Sequence, residues 1–404
     1  MNNPRSSLTT QFPTFLASCA SFLTERIGAE RIEAIFVCGS VAAGEETIVR
    51  ETAPPILLSD VDLVVVLGSM ESLHEWYPRR GELGAACESL LDGMTLAGRV
   101  DVGLLLPADL AKLPPRPGVY DMRNAGIMLH GKRSVLEIIP DYPAAAIDGR
   151  EGVVLVENRI ATLLGSYPGE ADITGARLYE LLYQIARVYT DLAVATLCIV
   201  GRYEPGYERR RRGIRALVEG EGNRLAAGLV STEILSKVDR WTTFKLEPSI
   251  GALGVAPEAP VLRRVWIDSA KDVLWFWRQA NSYLRDHNAD LLHPLPIDSL
   301  AAAGRDARRW RDHLRSWFAF LSTFPAAKRL ALAASLGTNL VAASPLDVVR
   351  ERGVMLLGAR LALGGEKRVR GAPWGFPHGG GSWSQAASQL SSVWREIVTG
   401  RKEA

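Results

Sequence analysis

This 404-residue chain carries only four cysteines, Cys19, Cys38, Cys87 and Cys198, and no two of them form a C-x-x-C pair. That spacing excludes a zinc framework and a disulfide scaffold, and it fits a reducing, cytoplasmic compartment. An excess of charge of one sign is also missing. The 47 Lys and Arg stand against 45 Asp and Glu, for a formal net charge of +2. Such balance gives no global pull toward nucleic acid or an anionic membrane, so any phosphate-binding surface has to be local. Long apolar runs are lacking too: "LALAASLGTNLVAA" near the C-terminus is too short to span a bilayer and contains Asn339. The six histidines form no Ser-His-Asp pattern, and no internal repeat is visible.

At the N-terminus, "LASC" (16–19) looks like a lipoprotein cleavage box, but the stretch before it is too polar for a signal peptide. Phe12, Phe15, Leu16, Cys19, Phe22, Leu23 and Ile27 follow helical spacing, which predicts an amphipathic helix in a mature protein. Beyond it come near-continuous apolar runs bounded by Gly and Pro: "AIFVCG", "ILLSDVDLVVVL" and "RVDVGLLLP", with "AGIMLHG" as a fourth strand or an edge. Runs of this kind predict strands covered on both faces. A helical stretch around 71–95 separates the second and third.

From about residue 150 the pattern becomes helical, with apolar residues every three to four positions in long segments. Breaks at "EPSIGALGVAPEAP" and "HPLPID" and a Gly/Pro loop at 361–383 punctuate it. The predicted class is α+β: a small mixed-sheet domain (1–145), a helical domain (146–250) and a C-terminal helical region (251–404). Nine of the ten tryptophans follow residue 240, which reads as packing of amphipathic helices rather than base stacking.

One feature does not fit a purely structural strand. "ILLSDVDLVVVLG" places Asp60 and Asp62 in an apolar run, where a carboxylate is costly unless something compensates it. Strand alternation puts Asp60, Asp62, Val64 and Val66 on one face and Ser59, Val61, Leu63, Val65 and Leu67 on the other. Two carboxylates so spaced can bridge a common hard cation, Mg²⁺ or Mn²⁺. On the next predicted strand Arg99, Asp101 and Gly103 share a face, so strand pairing can bring Asp101 beside the other two. Such a cluster repels itself unless cations neutralise it.

Together, "VCGSVAAG", "SDVDLVVV" and "VDV" resemble the polymerase-β-type nucleotidyltransferases, whose signature is h-G-S, D-h-D-h, then h-D-h on a neighbouring strand. The resemblance covers roughly residues 30–140, and Gly44 occupies the last place of the longer G-S-x-x-x-G form. About twenty residues separate Ser40 from Asp60, more than the family's usual gap, so "EETIVRETAPP" reads as an insertion. The resemblance implies Mg²⁺-dependent transfer of a nucleoside monophosphate from an NTP, ATP favoured, to an acceptor hydroxyl. It implies two ions held by Asp60, Asp62 and Asp101, with Asp101 at the site where the acceptor is deprotonated. Gly39, Ser40 and Ser59 are the expected nucleotide-binding positions, Ser59 trimming the strand turn rather than reacting.

A second likeness, to nucleotidyltransferases that modify small molecules, lies in "GRYEPGYERRRRGIRAL" after a long helix. It points to Tyr203, Tyr207 and Arg210 as contacts for acceptor or nucleotide, beside the plain reading of a solvated basic helix start. Lys132 in "LHGKRS" is read as a surface lysine rather than a phosphate ligand. The acceptor expected is a small molecule. Extended nucleic acid is not, because the one dense basic run, Arg209–Arg212, is four residues long and the arginines at 308–315 are diluted by acids. Protein nucleotidylation, cyclic or short oligonucleotide synthesis, and a non-catalytic nucleotide-binding regulator are the alternatives.

Overall fold

The computed structural model describes residues 4–168, 173–220, 224–297, 300, 345–363 and 383–399. The part of the helical pattern that spans 306–324, with its arginine-rich stretch 308–315, the apolar run 330–343 and most of the Gly/Pro loop lie outside the described residues. The fold is α+β. The chain divides into two compact units: Met1–Asp148 with Gly201–Gly213 and Thr242–Leu253, and the remainder. No helix among the described residues is long and apolar enough to cross a membrane.

The first unit opens with α1 (Pro4–Ile27) and continues through β1 (Ile32–Cys38), α2 (Gly39–Ala42), β2 (Ile48–Val49), β3 (Ile56–Leu57) and β4 (Val61–Leu67). Then come α3 (Met70–Trp76), α4 (Arg80–Glu88), β5 (Thr95–Leu96), β6 (Val100–Leu105), α5 (Pro107–Leu110), α6 (Pro117–Ala125) and β7 (Ile127–Gly131). The main sheet has the order β6-β4-β1-β7, with β1 antiparallel to both neighbours and β4 parallel to β6. β2, β3 and β5 form a second small sheet. "AGIMLHG" is indeed the edge strand, β7.

Strand alternation explains why the apolar runs are continuous. Ile35, Val37, Val61, Leu63, Val65, Val100, Val102 and Leu104 face one core, together with Phe12, Phe15, Leu16, Cys19, Leu23 and Ile27 of α1. Ala34, Phe36, Val64 and Val66 face another, with Leu110, Val119, Leu136 and Ile139. Each fully buried large side chain contributes roughly 1.5–3 kcal/mol. The strand expected across 56–67 is in fact two, β3 and β4, with residues 58–60 between them outside regular structure. Ser59 turns the chain there, and Gly98 packs so close that a Cβ would lie 2.4 Å from the Ser59 carbonyl oxygen. No side chain fits that approach.

In the second unit, α7 (Gly149–Gly165) packs on α8 (Ala176–Ile199). α9 (Tyr207–Glu219), α10 (Arg224–Leu229), α11 (Thr232–Leu246), α12 (Ile250–Leu253) and α13 (Ala259–Arg285) follow. The described chain ends with α14 (Pro345–Leu363) and α15 (Trp383–Thr399). α9 and α11 each contribute one end to the first unit, which also takes α12. Of the described tryptophans after residue 240, Trp241, Trp266, Trp277, Trp383 and Trp394 are buried and Trp275 is exposed. Trp266 and Trp383 meet Tyr167 edge-on, with centroids 5.0 and 5.3 Å away. These are core contacts of helix packing.

Candidate active site

Every residue singled out in the sequence for chemistry belongs to the first unit. Asp62 on β4 lies directly opposite Asp101 on the parallel strand β6, and opposite Cys38 on β1. Adjacent strands run about 4.8 Å apart, so the two carboxylates are neighbours on the face shared by Val64, Val66 and Gly103. Asp60 sits one residue before β4, in the turn rather than on the strand. All three acids are half-buried. Asp101 already has a cation: Arg99 Nε donates to its Oδ2 over 2.7 Å.

Gly39 follows β1 directly and has φ +71°. A Cβ there would lie 2.7 Å from Asp62 Oδ2, so the turn passes close over the acid, and its positive φ is one that a side chain rarely adopts. The Cys38 thiol lies beneath it and donates to the Asp62 carbonyl over 3.6 Å. Burial pushes that thiol's pKa well up, and the negative charges of Asp62 and then Asp121 push it further. Ser40 Oγ lies 3.4 Å from Ser59 Oγ. Ser59 is fully buried and accepts from Thr47 N (2.9 Å) and from Lys245 Nζ (3.2 Å). Lys245, likewise fully buried, donates to Thr47 Oγ1 over 2.7 Å, while that hydroxyl donates to the Lys245 carbonyl over 2.8 Å.

The Tyr/Arg segment supplies a third wall. Arg210 is buried; its guanidinium donates to Asp121 Oδ2 (2.5 Å), to the Glu204 carbonyl (2.7 Å) and to Tyr203 Oη. Tyr203 is buried and donates to the same Asp121 oxygen over 2.8 Å, while Asp121 Oδ1 is buried with no hydrogen-bond partner. Tyr203 and Arg210 are therefore spoken for by Asp121. Tyr207, half-buried, lies between two cations, Lys245 Nζ at 4.7 Å and the Arg210 guanidinium at 5.5 Å from its ring centre. Glu45 accepts from the backbone N–H of Tyr207 (2.5 Å) and of Glu208 (3.1 Å), capping α9 from the loop that follows α2. Nearby, Glu204, Arg209, Arg212 and Gly213 line an open cavity of about 480 Å³. Lys132 is exposed, just beyond β7.

The donors offered by Asp60, Asp62 and Asp101 are hard carboxylate oxygens, and the register of β4 and β6 aligns two of them for one divalent cation. Among the described residues, however, no three His, Cys, Asp or Glu side chains are gathered closely enough to enclose a metal ion. The fit is thus one of donor chemistry and alignment, with Arg99 holding Asp101. No family model matches the chain, and neither a curated protein nor a solved structure does.

Four residues of this neighbourhood carry no signal in the sequence: Glu45, Thr47, Asp121 and Lys245. Lys245 reads as the basic end of an amphipathic helix, and Asp121 as a polar residue on a short one. Only their distant partners distinguish them.

Proposed function

We propose that this protein transfers a nucleoside monophosphate from an NTP to a hydroxyl of a small acceptor, releasing pyrophosphate. One arrangement above all supports the reading: Asp62 and Asp101 stand opposite each other on adjacent strands, and the Gly39–Ser40 turn passes over Asp62 without a side chain. A turn of that shape lets backbone approach a phosphate closely.

Asp60, Asp62 and Asp101 would hold divalent cations, Mg²⁺ in the first instance. When bound, these supply charge neutralisation at the phosphates and acidify the acceptor hydroxyl. The turn at Gly39 and the Ser40 hydroxyl orient the phosphate chain in line with the incoming oxygen. A bond forms between that oxygen and the α-phosphorus; the bond from the α-phosphorus to the bridging oxygen breaks, and pyrophosphate leaves with the electron pair. The hydroxyl proton passes toward the carboxylate of Asp101, on the acceptor side.

The acceptor side favours something small and charged. The basic run Arg209–Arg212 is too short to track many phosphates, which supports a small acceptor. The test is incubation of the full chain with labelled NTPs and Mg²⁺, alongside binding of generic single-stranded RNA and DNA at physiological salt. Pyrophosphate release with weak, shallowly salt-dependent nucleic-acid binding is the expected result. Tight binding with a steep salt slope rejects a small acceptor, and no turnover or labelling with any NTP rejects the activity.

A further inference from the structure

Ser59 Oγ has two acceptor lone pairs and one proton. Two of its neighbours can only donate: the Thr47 backbone N–H at 2.9 Å and the Lys245 ammonium at 3.2 Å. Together they fill both lone pairs. The third neighbour is another hydroxyl, Ser40 Oγ at 3.4 Å, and in a hydroxyl pair either oxygen can donate. With its lone pairs taken, Ser59 is left to give its proton to Ser40. Ser40 then accepts from behind, and its own proton points away from Ser59.

We propose that Lys245 is a positioning residue that, through Ser59, fixes the Ser40 hydroxyl as a hydrogen-bond donor to the phosphate chain of the nucleotide. The inference rests on the nucleotidyl-transfer reading and deepens it. Its starting point is a cation that is fully buried, at 0% exposure, and its route is a chain of three polar groups running outward to the Gly39–Ser40 turn. Chains of this kind polarise in one direction, each donor strengthened by the one behind it. Thr47 locks the same polarity. Its hydroxyl accepts from the ammonium and donates to the Lys245 backbone carbonyl, so its proton is already committed, and turning the ammonium away breaks its bonds to both Thr47 and Ser59. An anion is what a fixed donor selects. A Ser40 free to rotate would serve a neutral ligand as well.

The experiment uses the full chain and three variants, Lys245→Met, Ser59→Ala and their double, titrated with a fluorescent ATP analogue in Mg²⁺ and, in competition, with unlabelled adenosine. Each single change should weaken the ATP analogue roughly tenfold, the scale of one charge-assisted hydrogen bond. Adenosine affinity should stay unchanged, and Lys245→Arg should recover most of the loss. The double variant should be no weaker than the worse single, because both changes cut one chain. A merely structural role would weaken adenosine and ATP alike. Affinities within twofold of wild type, or losses that add in the double, overturn the role of Lys245 while leaving the activity standing. Wild-type protein that binds no NTP at all overturns the activity itself and this inference with it. If Lys245→Met does not fold, Ser59→Ala decides by the same comparison of ATP with adenosine.

Discussion

Arg99 donates to Asp101 over 2.7 Å, so the acid that faces Asp62 across two strands already carries a cation of the chain's own. Both side chains keep a quarter to a third of their exposure, 25% and 31%, so the pair is only partly screened by water. Removing the guanidinium takes the ion pair from Asp101 and leaves its carboxylate facing that of Asp62 on the next strand. Arg99→Gln should therefore melt below wild type in EDTA, by the equivalent of about 1 kcal/mol, and added Mg²⁺ should close the gap. Melting curves with and without Mg²⁺ check this; identical curves for the two proteins would show that Arg99 does not hold the acid.

Asp60→Asn and Asp62→Asn should abolish turnover, by a factor on the order of 10³ or more, because several kcal/mol of charge stabilisation are lost. Folding should persist, since all three acids are only half-buried and neutralising Asp62 relieves its repulsion with the facing Asp101. Asp101→Asn should impair turnover more than nucleotide binding. Pyrophosphate release and circular dichroism, read together, separate the two effects. Wild-type rates in any of the three variants remove that residue from the proposed metal site.

Nucleotide and metal should stabilise the protein jointly. A triphosphate alone meets Asp60, Asp62 and Asp101 as like charges and binds poorly. The thermal shift with NTP plus Mg²⁺ should exceed the sum of the separate shifts. A shift of equal size with NTP in EDTA contradicts the arrangement.

Arg210 and Tyr207 should respond differently although they are three residues apart. Arg210→Ala strips Asp121 of a buried partner, which costs roughly 3–5 kcal/mol of stability. Tyr207→Ala removes a half-buried ring between Arg210 and Lys245 and should raise the KM for acceptor or nucleotide with a smaller loss of stability. Urea melts beside steady-state kinetics check the pair. Equal destabilisation by both changes would assign Tyr207 to packing alone.

In the second unit, burial pushes the Glu157 carboxyl above the ordinary carboxylate range, and the hydrogen bond from Trp277 Nε1 (2.9 Å) only partly offsets it. The folded state thus binds its proton more tightly than the unfolded chain does. Stability from this group is present below the unfolded pKa and falls as pH rises through the raised folded value. Glu157→Gln keeps an acceptor for Trp277 and removes the titration. It should melt higher than wild type at neutral pH, with the difference shrinking toward the acid end of that window. Thermal melts across pH 4–8 check the sign.

The sheet is legible in the sequence because both its faces are buried, which makes β1, β4 and β6 read as unbroken apolar runs. The acids are legible for the same reason, as carboxylates inside those runs. The break between β3 and β4 is not, because what bends the chain at Ser59 is a glycine almost forty positions later and a lysine 186 residues away. Tyr203 and Arg210 stand out as a polar cluster, but Asp121, the group that holds Arg210, lies 89 residues earlier. Local periodicity carries no information about partners at that distance. Lys245 ends an amphipathic helix as many surface lysines do, and only its complete burial sets it apart.

The lysine beneath Ser59 also orders events in time. It follows Ser59 by 186 residues, and a ribosome adding about 5–20 residues per second needs roughly ten to forty seconds to reach it. Through that interval the nascent chain can pair its main sheet and align Asp62 with Asp101, since every strand involved is complete by residue 131. Its 45–55 loop, however, has neither the ammonium under Ser59 nor, until residue 208, the amides that donate to Glu45. Translation therefore delivers the acidic half of the site early and its cationic anchor late.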